Sequence, residues 1–286
     1  MSAVISSPIA SDAELPRGVG LRWVQLRAVF GFSLRVALQS KRLWILGLVT
    51  FLPVLVPLGY AIVSIFIPHV PPFPSVMGVF RNLFGLVYLR VVLYVLAMAY
   101  GLSLLSDEIE GKTLIHLVLR PIPRWTVVGG KFLSSWLVAG VLIVLSVIVT
   151  YALLWAIQKD PGVRLEAFRL ENLKTLGIDL VAVVGALAAY LALFSCVGAW
   201  LPHGERWGVV FCFGWESLIT YLPARLKWIT LMYHVQTLIP NNVVVVKRFI
   251  LSGEPLPKYM CVMILFAATV AFLALTVWNL KRREIR

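Results

Sequence analysis

Residues 180–201 read LVAVVGALAAYLALFSCVGAWL, an apolar run without a single charged residue. Its length matches the roughly 20 residues that an α-helix needs to cross about 30 Å of hydrocarbon. A strand of a membrane barrel would alternate apolar and polar residues with a period of two, and this run does not. Inside a bilayer the backbone must satisfy its own hydrogen bonds, so the run is expected to be a helix. Similar runs stand on either side of it. The expected spans are 43–67, 83–105, 127–157, 178–201, 207–222 and 260–280, the fifth being the shortest. Composition agrees: 60% of the 286 residues are hydrophobic and 14% charged, against about 45–50% and about 25% in soluble domains. The mean hydropathy is +0.90. A water-soluble fold is excluded, and the expected fold is an all-α polytopic membrane protein with about six transmembrane helices.

Residues 1–20 are rich in Ser, Ala, Pro and Gly and lack the basic start and apolar core of a signal peptide. They are read as a mobile cytoplasmic tail, with residues 21–286 forming the transmembrane domain. The formal net charge of +13 would suit nucleic acid, but its distribution points elsewhere. With six spans both termini share one side. That side collects Arg17, Arg22, Arg27, Arg35, Lys41 and Arg42, then Lys112, Arg120, Arg124 and Lys131, then Arg206 and the C-terminal Lys281, Arg282, Arg283 and Arg286. Such a bias marks the cytoplasmic side of an inner membrane. The opposite side carries Arg225, Lys227, Lys247, Arg248 and Lys258 in one long segment, and long loops weigh less in this rule. The basic excess therefore reads as topology plus attraction to anionic membrane lipids, with no nucleic-acid partner. Cys196, Cys212 and Cys261 all fall in expected spans and show no metal or disulfide spacing. They read as small buried hydrophobes.

Between the tail and the first span, residues 21–42 place Arg35, Gln39 and Arg42 on one helical face and Val29, Phe32, Val36 and Leu43 near another. This predicts an N-terminal amphipathic interfacial helix; a plain extension of the first span is the competing reading. Pro53 and Pro57 should kink that span. The first outer loop, PHVPPFP, is too rich in proline to be helical throughout. In the second, Glu166, Arg169 and Leu170 suit a short surface helix. In the third, from about Pro223 to Lys258, ARLKWITLMYHVQTLI reads as a surface or re-entrant helix and VVVVKRFIL as extended chain. Trp228, Tyr233 and Tyr259 suit the headgroup layer.

The segment with most functional content is LSDEIEGKTLIHLVLRPIPRWTVVGGK, residues 105–131. It opens on Asp107, Glu108 and Glu110, acids that suit a helix start. Leu114, Leu117 and Leu119 form an amphipathic turn. Pro121 and Pro123, between Arg120 and Arg124, then fix the chain direction. On physical grounds alone it is either an ordinary amphipathic connector or a helix lying across the membrane surface to meet a cytoplasmic partner.

The pattern D-E-x-E-x-G-x-T-L, then R-P-x-P-R, then G-K resembles the permease subunits of type-2 ABC transporters. The matching residues are Asp107, Glu108, Glu110, Gly111, Thr113, Leu114, Pro121, Arg124, Gly130 and Lys131. The second leucine pair is matched only loosely by Leu117 and Leu119, and His116 is foreign to the pattern. The six-span layout, the basic amphipathic start and the long segment before the last helix extend the resemblance along the chain. It implies that the segment is a cytoplasmic coupling helix seated in a groove of a separate ATP-binding subunit. It also implies two membrane halves, as a homodimer or a heterodimer with a second permease. The chain has no G-x-x-x-x-G-K-[ST] loop, so it needs no cofactor of its own, and ATP would be bound and hydrolysed by the partner. The function implied is an exporter permease. The rival is a non-transport scaffold that pairs with an ATPase to drive an envelope assembly machine; a secondary transporter would show two related halves with broken helices, and none is visible.

Two charges lie within expected spans, Arg90 in the second and Glu216 in the fifth. A charge at the bilayer centre costs about 2.5–3.5 kcal/mol on insertion scales. An Arg90–Glu216 ion pair, a place on a substrate pathway, and snorkelling to the interface are all open. Enzyme signatures are absent: His69, His116, His203 and His234 are scattered, without zinc spacing, and no G-x-S-x-G elbow is present.

Overall fold

The computed structural model describes residues 19–66, 75–110, 123–158, 160–201, 204–215, 226–239 and 256–283. Among these residues the chain is helical almost throughout and contains no strand. Helix α1 (Val19–Gln39) is followed by α2 (Lys41–Phe51), a 3-10 turn (Leu52–Val54) and α3 (Leu55–Phe66). Then come α4 (Val76–Asn82), a π-helical stretch (Leu83–Val92) and α5 (Leu93–Glu110). The two long helices α6 (Arg124–Ala156) and α8 (Leu170–Trp200) flank the short α7 (Pro161–Glu166). The remainder comprises α9 (Gly204–Val209), a second π-helical stretch (Val210–Trp215), a 3-10 turn (Leu226–Ile229), α10 (Leu231–Leu238) and α11 (Lys258–Arg283).

Five helical stretches among the described residues are long and apolar enough to cross a membrane: Lys41–Phe66, Val76–Leu104, Arg124–Ala156, Leu170–Trp200 and Lys258–Leu280. They correspond to five of the six expected runs. The remaining run, 207–222, is helical as far as Trp215, and residues 216–222 lie outside the described residues. The second and fourth spans begin seven or eight residues earlier than hydropathy places them. The added residues include polar ones, Arg81 and Asn82 at the end of α4 and Glu171, Asn172 and Lys174 at the start of α8. Apolarity reports where hydrocarbon must be faced, whereas helix continues wherever its backbone ladder is satisfied. Ser75 starts α4 by accepting the Gly78 N–H at 3.1 Å, and Asp160 starts α7 by accepting the Gly162 N–H at 2.9 Å. Side-chain acceptors at these positions satisfy N–H groups that the first turn leaves open.

The core lies between α5, α6 and α8. Leu93, Leu96, Ile143, Leu154, Leu187, Tyr190, Leu191 and Phe194 are among its fully buried side chains. Helix α5 meets α8 at glycines. A Cβ added at Gly101 would lie 2.7 Å from Phe194 Cβ, and one at Gly198 would lie 3.0 Å from the Leu102 carbonyl oxygen. Small residues at a crossing let membrane helices approach closely enough for backbone contact. Trp136 Nε1 donates to the Val184 carbonyl at 3.0 Å, joining α6 to α8. Asn279 Nδ2 donates to the Ala199 carbonyl at 2.6 Å, joining α11 to α8. The outer spans are differently placed. Only 17% of the most apolar window of the last span is buried, and 28% of the first, against 61% for Leu170–Trp200. Their exposed faces carry Trp44, Leu48, Ile65, Phe66, Met263 and Phe266, which water would penalise and lipid would not.

At Pro53, where a kink is expected, the α-helix gives way to the 3-10 turn Leu52–Val54, whereas Pro57 stands inside the continuous α3. Proline brings no N–H to the turn, and a side chain serves the carbonyl before it. Ser146 Oγ donates to the Thr50 carbonyl at 2.7 Å. That spends the serine proton, so Tyr88 Oη donates to Ser146 Oγ at 2.7 Å and in turn accepts from Thr150 Oγ1 at 2.7 Å. The relay is buried and links α2, the first π-helical stretch and α6. Ser146→Ala is expected to lower stability by about 0.6–1.7 kcal/mol, from the average to the maximum found for hydrogen bonds between membrane helices. Unfolding in mixed detergent micelles measures it.

α10 is the helix expected in the long third loop, and it lies in the interior. Leu231, Met232, Tyr233, His234, Val235, Gln236 and Thr237 are all buried, packed against α8 and α11. His234 Nε2–H donates to the Trp228 carbonyl at 2.9 Å. Burial lowers the pKa of this imidazole below its usual range, and the hydrogen bond opposes the shift.

Candidate functional site

Segment 105–131 begins on α5 and ends on α6. The backbone of α5 stays helical through Asp107 and Glu108 to Glu110. The side chains of residues 105–110, and residues 111–122 altogether, lie outside the described residues. That set includes Gly111, Thr113, Leu114, Leu117 and Pro121. The described part resumes at Pro123, whose extended backbone (φ −60°, ψ 132°) sets the start of α6. Its carbonyl accepts the Thr126 N–H at 2.9 Å. Arg124 is the first residue of the helix and is half-buried.

The two ends of the segment are joined to each other. Lys131 Nζ donates to the Leu104 carbonyl at 3.2 Å, tying the first turns of α6 to the last turns of α5. Helix α1 lies against the same end of α6. A Cβ at Gly130 would fall 2.9 Å from Val29 Cγ1, and Gly129 faces Leu26. The Gly129-Gly130-Lys131 element therefore has a direct physical reading. The second glycine admits α1, and the lysine fastens α5.

An extended residue separates α1 from the first span. Ser40 between α1 and α2 is extended (φ −75°, ψ 140°), so α1 is not a straight extension of the first span. Of the apolar face expected on it, Val29 packs on α6, whereas Phe32 and Val36 are exposed. Arg35, Gln39 and Arg42 are exposed as well.

Of the two charges expected within spans, one lies among the described residues. Arg90 sits in the first π-helical stretch and is half-buried. Glu216, its expected partner, lies outside the described residues. Elsewhere a buried acid and a basic residue lie near enough for one charge to act on the other. Asp179 in α8 is 2% exposed, and the charge acting on it is Arg81 of α4. One carboxylate oxygen, Oδ1, has no hydrogen-bond partner. Sequence reading passed over this pair because Asp179 stands at the second position of expected span 178–201 and Arg81 just before 83–105. Only the longer helices move both inward. Asp179 lies nine residues past Leu170, about 13 Å along the axis.

No three His, Cys, Asp or Glu residues stand together as a metal site among the described residues. Fold and site together define an all-helical chain compatible with a multi-pass membrane protein. Compared with known protein families and with curated protein sequences, the chain matches none.

Proposed function

We propose that the chain is the membrane subunit of a transporter driven by a separate ATP-binding-cassette ATPase, with residues 105–124 as its coupling helix. The observation that carries this reading is the joined base of that segment. The Lys131–Leu104 hydrogen bond and the seat of Val29 on Gly130 make α1, α5 and α6 respond together to a push on residues 105–123. A coupling element needs such a base, because a force applied to a loose loop is lost in the loop. Asp107, Glu108, Glu110 and Arg124 would be the polar contacts toward the ATPase, with Leu114 and Leu117 as apolar ones. ATP binding would shift the population between inward-open and outward-open states, moving cargo outward across the cytoplasmic membrane. Residues 207–222 would complete a sixth span, leaving both termini in the cytoplasm, and a second copy or a related permease would supply the other half of the path.

The test is affinity purification of tagged protein in mild detergent, with mass spectrometry of what accompanies it. Wild type is expected to bring down an ATP-binding-cassette ATPase. Glu108→Arg/Glu110→Arg is expected to lose at least about 90% of it, since reversing two contact charges costs several kcal/mol. A wild-type preparation without such an ATPase would reject the reading.

A further inference from the structure

A cleft of about 510 Å³ opens between α1, the start of α2, the end of α5 and the start of α6. Its walls bring together two cations, Arg42 and Lys131, with the hydroxyls of Tyr100, Ser33 and Ser135. These donors come from four separate parts of the chain. Tyr100 is the most telling of them. It is 4% exposed, yet its hydroxyl has no hydrogen-bond partner. A buried hydroxyl left unpaired is costly, and this one lines a cavity with two positive groups. Arg42 lies near enough for its charge to act on the Tyr100 hydroxyl.

The position of the cleft narrows the ligand. Arg42 is the second residue of the first candidate span, Leu104 the last of the second, and Lys131 two turns into the third. Consecutive spans alternate in direction, so these three ends share one membrane face. The cleft therefore stands at headgroup level. Phe32 and Val36, which also line it, are 72% and 52% exposed. An apolar rim beside a cationic, hydroxyl-rich interior suits a molecule with a phosphate at one end and hydrocarbon at the other.

We infer that this cleft binds the phosphate of an anionic phospholipid headgroup, with Arg42 and Lys131 countering its charge and Tyr100 donating to a phosphate oxygen. Charge-assisted hydrogen bonds of this kind are the stronger ones. The chemistry is shared by free phosphate, and the apolar rim favours the lipid. The inference does not rest on pairing with an ATPase, and it stands or falls without it.

The test uses full-length protein in a neutral detergent, with thermal unfolding followed during separate titrations of phosphatidylglycerol, phosphatidylcholine and inorganic phosphate. Wild type is expected to be stabilised saturably by phosphatidylglycerol and much less by the other two. Arg42→Gln and Tyr100→Phe are each expected to weaken the apparent affinity about tenfold, as loss of one charge-assisted hydrogen bond implies. Tyr100→Phe removes a single oxygen, so it keeps the comparison open if Arg42→Gln does not fold. Equal stabilisation of wild type by inorganic phosphate, lost in the variants, would assign the site to free phosphate and overturn the lipid. No stabilisation of wild type, or the same response from Tyr100→Phe as from wild type, would overturn the site itself.

Discussion

Gly101→Val is expected to deprive the protein of most of its folded yield, whereas Gly185→Ala, in the helix that Gly101 faces, is expected to be harmless. At Gly101 a Cβ would sit 2.7 Å from Phe194 Cβ and 2.9 Å from the Leu191 carbonyl oxygen. Neither atom is the tip of a flexible side chain. Relief requires α5 and α8 to separate, and among the described residues these two helices share the most extensive interface. Separation would also loosen the reciprocal contact at Gly198, whose added Cβ would meet the Leu102 backbone. Overpacking a tight core commonly costs about 1–3 kcal/mol, and a crossing held at backbone distance belongs at the upper end, about 3 kcal/mol. Gly185 has no atom within 4 Å of its added Cβ, and alanine favours helix over glycine by about 0.5–1 kcal/mol. Fluorescence-detected size-exclusion after a heating series measures both. A monodisperse Gly101→Val protein with wild-type thermal stability would show that the α5–α8 crossing is not set by these glycines.

What could be read from the chain was whatever leaves a one-dimensional trace. Five of the expected spans correspond to long apolar helices because hydrocarbon imposes its thickness on a continuous run. The break at Pro53 was legible because proline acts on its own turn. The seat of α1 on Gly130 was not, since Val29 and Gly130 are 101 positions apart in sequence (130 − 29) and glycine does not announce its neighbour. The cleft was hidden for a similar reason. Arg42 and Lys131 had each been counted as one more positive charge on the cytoplasmic side. Their meeting with Tyr100 depends on three helix ends coming together. α10 shows a different failure. Trp228 and Tyr233 look like headgroup anchors by residue type, but Tyr233 is buried and only Trp228 is exposed, because α8 and α11 enclose the helix.

Those helix ends also give the proposed coupling segment and the proposed lipid site a common floor. Lys131 belongs to both. It holds the Leu104 carbonyl and lines the cleft beside Arg42. An ammonium group has three donors, so one contact does not exhaust it. If both proposals hold, a headgroup in the cleft would brace α1 against α5 and α6 at the point where the segment's motion reaches the membrane. Anionic lipid would then tune coupling as well as stability.

Arg81→Met is expected to destabilise the protein by about 3 kcal/mol, and Arg81→Met/Asp179→Leu to recover most of that loss. Asp179 is 2% exposed, and Arg81 is the charge that acts on it. Removing one member of a buried pair leaves the other as an uncompensated charge, which costs about 3–5 kcal/mol, whereas replacing both by apolar groups of similar size is often neutral. The lower end applies because Arg81 is only half-buried and solvent already screens part of its charge. The free carboxylate oxygen of Asp179 sharpens the expectation, since the pair as it stands leaves one acceptor unsatisfied. Leucine in its place adds no polar atom to satisfy and fits among the apolar residues of α8. The measurement is a double-mutant cycle by unfolding in mixed micelles. A double variant as unstable as the sum of the two single variants would mean that Arg81 and Asp179 contribute independently. A recovery of about 2 kcal/mol or more would identify them as a coupled pair holding α4 to α8 inside the membrane.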